Sequence, residues 1–318
     1  MTVFYDVFNG DADGICALHQ LRLAAPRESV LVTGVKRDIE LVRCADAHAG
    51  DVVTVLDISL ARNSVALKEL LERGASCSYF DHHYAGEIPT HANLRTYIDT
   101  APDVCTSLIV DRHLEGRQRP WAVVAAFGDN LGAAAREAAA SLGLNDLQLD
   151  QLQTLGECMN YNAYGENVED LHYHPADLYA TLGRYTDPLQ FITGEPVFDI
   201  LREGRADDLF RAGEIQPAAH SASTAIYVLP DFAWSRRVYG TFGNELAIAH
   251  PARAHAVLTR RGGGYGVSVR APLTNPRGAD ELCRQFPGGG GRQGAAGIDE
   301  LPESEFERFH AAFRRAFE

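Results

Sequence analysis

Three short apolar runs, residues 3–8, 52–56 and 76–80, each give way to polar and acidic residues. Runs of this length are too short for buried helices and read as strands covered on both faces; residues 30–33 supply a fourth. Helical patterns at about 14–25 and 63–73 lie between them. That alternation predicts an α/β fold, with a parallel sheet and helices on both faces. Ligands gather at the carboxyl ends of the strands in such sheets. In this chain that edge carries the acids.

Downstream, residues 121–160 turn helical and alanine-rich, and 160–175 form a polar, aromatic stretch expected to pack as loop and helix. Residues 204–219 lack clear periodicity and are expected to be a linker. A second, smaller α/β unit follows, with strands near 225–229, 254–259 and 265–269. Its helices are expected near 242–249 and 277–285; then come the glycine-rich "PGGGGRQGAAG" and a closing helix from about residue 304. The expected division is therefore 1–203 and 220–318, with a cleft between.

No apolar run approaches the roughly 18 residues of a membrane span, and the N-terminus lacks the basic and apolar regions of a secretory signal. Six cysteines lie far apart with no C-x-x-C pair; they read as reduced thiols of a cytoplasmic protein. The net charge is −14, but from Phe232 onward 12 arginines face nine acids. So acidic a chain is a poor partner for long duplex DNA. A small anionic substrate stays open if cations neutralise the acidic part, and nothing excludes a homodimer.

Four segments carry the candidate chemistry: "FNGDADG" with Asn9, Asp11 and Asp13; "VLDIS" with Asp57; "YFDHH" with Asp81, His82 and His83; and "AFGDN" with Asp129. Alternate residues of an extended segment share a side, so Asn9, Asp11 and Asp13 are expected to converge. Any one of these acids taken alone reads as a helix cap or turn residue. Together they would stand at one sheet edge. Two ionised carboxylates about 4 Å apart repel by about 4 kcal/mol at an effective dielectric of 20. Divalent cations relieve that repulsion, and oxygen donors with one imidazole suit Mn²⁺ or Mg²⁺.

In order and approximate spacing, "NGDADG", the aspartate of "LDIS", "DHH" and the aspartate of "FGDN" resemble the four motifs of the DHH superfamily of phosphoesterases. The superfamily includes RecJ-like exonucleases, oligoribonucleases, cyclic-dinucleotide phosphodiesterases, type II pyrophosphatases and exopolyphosphatases. "GVSVRAP" and "GGGGRQGAAG" resemble the DHH-associated substrate-binding domain of the oligoribonuclease and RecJ branch. The resemblance implies two divalent ions that activate water for in-line attack on phosphorus. It places Asn9 and Asp11 at a first ion and Asp13, His82 and Asp129 at a second, with Asp57 bridging. Asp81 would orient an imidazole, and His83 would face the scissile phosphate.

Two positions depart from the family pattern. Asn9 stands where most members have histidine, although the yeast-type exopolyphosphatases resemble this chain in having asparagine there; an amide oxygen is the weaker donor to a transition metal. Arg292 stands where the glycine loop usually has histidine, and keeps a cationic donor for phosphate. Gly288, Gly289, Gly290 and Gly291 would let backbone N–H groups approach that phosphate, and Arg270 would be a second clamp. His172 and His174 are expected to pack or cap.

The expected activity is hydrolysis of short single-stranded oligonucleotides or small nucleotides. Phosphoanhydride hydrolysis and a non-catalytic nucleotide-binding role with a degraded first site are the alternatives.

Overall fold

The computed structural model describes residues 1–318, which divide into two compact units, Met1–Glu203 and Gly204–Glu318.

The first unit is built on five parallel strands: β1 (Phe4–Phe8), β2 (Val30–Val32), β3 (Val52–Leu56), β4 (Ser76–Asp81) and β5 (Leu94–Ile98), in the order β2-β1-β3-β4-β5. Helix α1 (Ala12–Ala24) follows β1, and α2 (Leu60–Glu72) follows β3. Then come α3 (Thr106–His113), α4 (Arg119–Gly128), α5 (Gly132–Ala139), α6 (Asp146–Asn162), α7 (Pro175–Leu182), α8 (Pro188–Gly194) and α9 (Pro196–Gly213), the last continuing past Glu203 into the second unit.

Strand register explains why both faces are covered. Val7, Val55 and Tyr79 form one row across β1, β3 and β4, and Phe8, Leu56 and Phe80 form the next. Successive residues of a strand point to opposite faces. The first row therefore packs with Leu60, Leu67 and Leu70 of α2. The second packs with Ile15, Leu18 and Trp121 among the helices α1 and α4. Helix α1 is buried from Ala12 to Arg22, enclosed by the sheet and by α3, α4 and α6. A helix so enclosed cannot show a polar face.

The second unit has a six-stranded mixed sheet. Its strands are β6 (Ala219–His220), β7 (Thr224–Leu229), β8 (Ala254–Arg261), β9 (Gly264–Arg270), β10 (Gly289–Arg292) and β11 (Ala295–Pro302), in the order β10-β11-β9-β8-β7-β6. Only β7 and β8 run parallel. Helix α10 (Ala233–Ala249) packs on β8 and β9. The short α11 (Ala279–Cys283) and α12 (Phe306–Phe317) contribute Leu282, Phe309 and Phe313 to the apolar cluster with Val267, Val269 and Ile298.

Two expectations are corrected. Residues 204–213, read as linker, are the second half of α9, and 219–220 form β6. The glycine-rich run is no loop: residues 289–292 are an edge strand paired antiparallel with β11. Strand β5 and the first half of α10 carried no recognised pattern. All six cysteines are unpaired, and all but Cys44 are buried. No helix is long and apolar enough to cross a membrane.

Candidate metal centre

Asn9, Asp57 and Asp81 follow or close the Phe8–Leu56–Phe80 row, so they leave the sheet side by side. The Asn9 N–H donates to Leu56 O at 3.2 Å and the Asp57 N–H to Phe80 O at 3.0 Å. Asp57 has a left-handed backbone (φ 58°). Among residues with a side chain, Asp and Asn tolerate that conformation best.

Asp11 and Asp13 arrive by a different route from the one expected. They do not alternate along a strand. Asp11 caps α1, its Oδ1 accepting from the N–H groups of Asp13 and Gly14 at 3.0 and 3.1 Å. Asp13 lies in the first helical turn. The turn is tight enough that a β-carbon on Gly14 would fall 2.2 Å from the Asn9 carbonyl oxygen. Both oxygens of Asp13 accept backbone N–H groups at the start of α3, from Thr106 and Ser107 at 2.7 Å each. The Thr106 hydroxyl donates to Asp57 Oδ1 at 3.2 Å.

His82 Nδ1 lies 2.9 Å from the Val104 carbonyl. In the neutral ring, donation there leaves the lone pair on Nε2, which lies 3.4 Å from Asp57 Oδ1 and 3.9 Å from Asp129 Oδ2. Asp129 caps the carboxyl end of α4. His83 Nδ1 lies 2.7 Å from Asp81 Oδ1 and 3.8 Å from Asp57 Oδ1.

The charges strain against one another. Burial, with Asp13 and Asp11 close by, pushes Asp57 well above the usual carboxylate range. Burial also lifts Asp129 to about 6. Desolvation opposes protonation of His82, yet its contact with Asp57 and the charges of Asp13 and Asp129 raise it to about 10. Such a cluster holds positive charge more readily than it stands alone.

Two groups bring their ligand atoms within 4.8 Å of one another: Asp13, His82 and Asp129, and Asp57, His82 and His83. Carboxylate oxygens with imidazole nitrogen, half-buried and short of positive charge, fit a divalent ion. The expected first-ion pair is arranged otherwise. Asn9 Oδ1 accepts the Asp11 N–H at 3.2 Å and its amide donates to Lys36 O at 3.3 Å. Asp11 Oδ2 takes the Lys36 ammonium. Burial alone would lift Asp11, but that ammonium holds it below the ordinary value.

No family model matches the chain, and no curated protein matches it in sequence. Solved structures do. An exonuclease RecJ bound to manganese aligns with a TM-score of 0.65 at 17% identity, covering 98% of this chain and 89% of that one. RecJ from Thermus thermophilus, in complex with Mn²⁺, gives 0.60 at 16%, covering 98% and 51%. PggH, a pGpG-specific phosphodiesterase from Vibrio cholerae, gives 0.56 at 12%, covering 98% and 97%. The chain shares the fold of these RecJ and PggH structures.

Within this fold, the sequence patterns do not mark Lys36, Thr106, Ser107 and Asn160. The hydroxyl pair stands at a helix start, where such residues are ordinary caps, and Lys36 follows a strand end without a marker. His172 and His174 pack and cap as expected: His172 Nε2 meets the Tyr161 hydroxyl at 2.7 Å, and His174 Nδ1 accepts the Ala176 N–H at 3.1 Å.

In the second unit, Arg270, Ala295 and Arg292 share one register row across β9, β11 and β10, and so one face. The Arg270 guanidinium donates to Asn244 Oδ1 at 2.5 Å, Ser268 Oγ at 2.8 Å and Gly240 O at 3.1 Å, which ties β9 to α10. Arg292 is exposed. The glycines serve packing first. A β-carbon on Gly289 would fall 1.8 Å from Cys283 O, and Gly291 has φ 138°. Gly290 alone has open space around it.

Proposed function

We propose that this chain is a metal-dependent phosphoesterase that hydrolyses short oligonucleotides or small nucleotides. The observation that carries the reading is the convergence of Asp13, Asp57, Asp129 and His82 at the carboxyl ends of one parallel sheet. Asp13, His82 and Asp129 would hold a divalent ion, with Asp57 and His83 beside it. Such an ion supplies a Lewis acid that lowers the pKa of water and offsets charge on phosphate oxygens.

The chain's own residues do the positioning. Val104 fixes the His82 ring so that Nε2 faces the carboxylates. Thr106 and Ser107 hold Asp13 in one orientation, so little reorganisation is needed when charge develops. Asp81 keeps the His83 ring aligned, and His83, the more exposed imidazole, is the group placed to exchange a proton with a bound substrate. RecJ and PggH, whose fold the chain shares, act on nucleic-acid phosphodiesters as an exonuclease and a pGpG-specific phosphodiesterase. The net charge of −14 favours short substrates over long duplexes.

The test is a parallel screen with Mn²⁺ and with Mg²⁺. Substrates are pGpG, di- to pentanucleotides, pyrophosphate and polyphosphate. Mononucleotide release from the oligonucleotides is expected, and Asp57→Ala should abolish it. Turnover of pyrophosphate or polyphosphate alone would move the assignment to phosphoanhydride hydrolysis. No turnover of any substrate with either ion would overturn the hydrolase reading.

A further inference from the structure

We infer that the Lys36 ammonium stands in the place of one of the two cations of a binuclear centre, so that this chain binds a single divalent ion. The inference rests on the phosphoesterase reading and concerns the composition of the same site.

Lysine side chains ordinarily extend into solvent. This one turns inward. Its ammonium contacts Asp11 Oδ2, lies 3.1 Å from Asn160 Oδ1 and 3.7 Å from Asp129 Oδ1, and sits 5.7 Å from the centre of the Tyr164 ring. Its backbone is held at both ends: the N–H donates to Ala163 O at 2.9 Å, and the carbonyl accepts from Asn9 Nδ2 at 3.3 Å. Three separate parts of the chain thus fix one cation between Asp11 and Asp129.

The neighbouring donors are arranged around that cation. Asp11 spends one oxygen on two N–H groups of α1 and the other on the ammonium. Asn9 has an amide where an imidazole would serve a metal, and uses it to bridge Asp11 N–H and Lys36 O. A divalent ion at this place would have to displace the ammonium or sit against its charge. The ammonium reaches the Asp13–His82–Asp129 group only at Asp129 Oδ1, 3.7 Å away, and leaves Asp13, His82 and the neighbouring Asp57 to a metal. The departure at position 9 then has a cause: with a lysine supplying the first positive charge, a strong metal donor there is not needed.

The test is the number of Mn²⁺ ions bound by the full chain, measured by equilibrium dialysis with elemental analysis. Electron paramagnetic resonance of the same samples supplies a second readout. The unaltered chain should bind one equivalent, with the resolved hyperfine pattern of an isolated ion. Lys36→Ala combined with Asn9→His should bind two equivalents with an exchange-coupled spectrum. Two coupled ions in the unaltered chain would overturn the inference while leaving the phosphoesterase reading intact. A folded double variant that still binds one would show that Lys36 is not what fills the place. No bound Mn²⁺ in the unaltered chain would overturn the phosphoesterase reading and this inference with it.

Discussion

His83 and Asp81 face each other across 2.7 Å, Nδ1 to Oδ1, although they belong to one tripeptide at the end of β4. Asp81 is fully buried and also accepts the His83 N–H at 3.1 Å and the Leu60 N–H at 3.2 Å. It therefore fixes the ring, and the neutral form keeps its proton on Nδ1. Asp81→Asn keeps the volume and loses the charge. Turnover should fall by roughly 10- to 100-fold, as for other carboxylates behind active-site imidazoles, with KM nearly unchanged. Steady-state kinetics on the folded variant checks this.

Asp57 should show a trade between activity and stability. Its carboxyl is raised well above the ordinary value by burial and by two neighbouring aspartates. A raised acid contributes stability that is full below its unfolded pKa and lost as pH rises through the folded one. At neutral pH without metal, Asp57→Asn should therefore be more stable than the parent by about 1 kcal/mol, yet inactive. Thermal melting with and without Mn²⁺ measures both effects, since the ion should raise the parent's midpoint far more than the variant's.

His19 sets a pH limit outside the candidate metal centre. It is buried against Trp121, with Nε2 2.9 Å from Tyr185 O, and desolvation lowers it from 6.5 to about 4. The folded chain holds it neutral while the unfolded chain protonates it below 6.5. Stability is therefore full above that pH, is lost on acidification, and stops falling near pH 4. The integrated effect is roughly 3 kcal/mol. His19→Gln should flatten this part of the stability–pH curve relative to the parent.

Buried and exposed ion pairs should behave differently. Asp6 accepts from Arg22 Nε at 2.9 Å and from Ser29 Oγ at 2.6 Å, with Arg27 at 3.8 Å. Asp6→Ala strands two arginines and should cost about 3–5 kcal/mol. Glu40→Ala breaks a surface pair with Arg43 and should cost less than about 0.5 kcal/mol. Denaturant titration of the two variants compares them directly.

The glycines of β10 separate packing from ligand contact. Gly289→Ala meets Cys283 O and should destabilise the second unit by roughly 3 kcal/mol. Gly290→Ala has open space and should cost less than about 1 kcal/mol. Calorimetry of each variant checks the difference.

Much of the first unit was legible because its strands are buried on both faces. Val7 and Phe8, or Val55 and Leu56, leave no polar gap to misread. Strand β5, "LRTYI", lies at an edge, carries an exposed arginine and gave no such run. In α10, Gly240 and Gly243 weaken helix propensity in mid-sequence, so only its later half was recognised. The strand-end acids were legible, but Asp11 reaches the centre as a helix cap, the ordinary role that each acid alone suggested. Lys36 was not legible. Its partners lie 25 and 124 residues away, and no local spacing reports a contact of that range.

The left-handed backbone of Asp57 narrows what descendants of this chain can carry there. Glycine, asparagine and aspartate enter that conformation at low cost; glutamate, which would preserve the charge, does not. A lineage that abandons the chemistry should thus drift toward asparagine or glycine at this position, and one that shows glutamate should have rebuilt the turn around it.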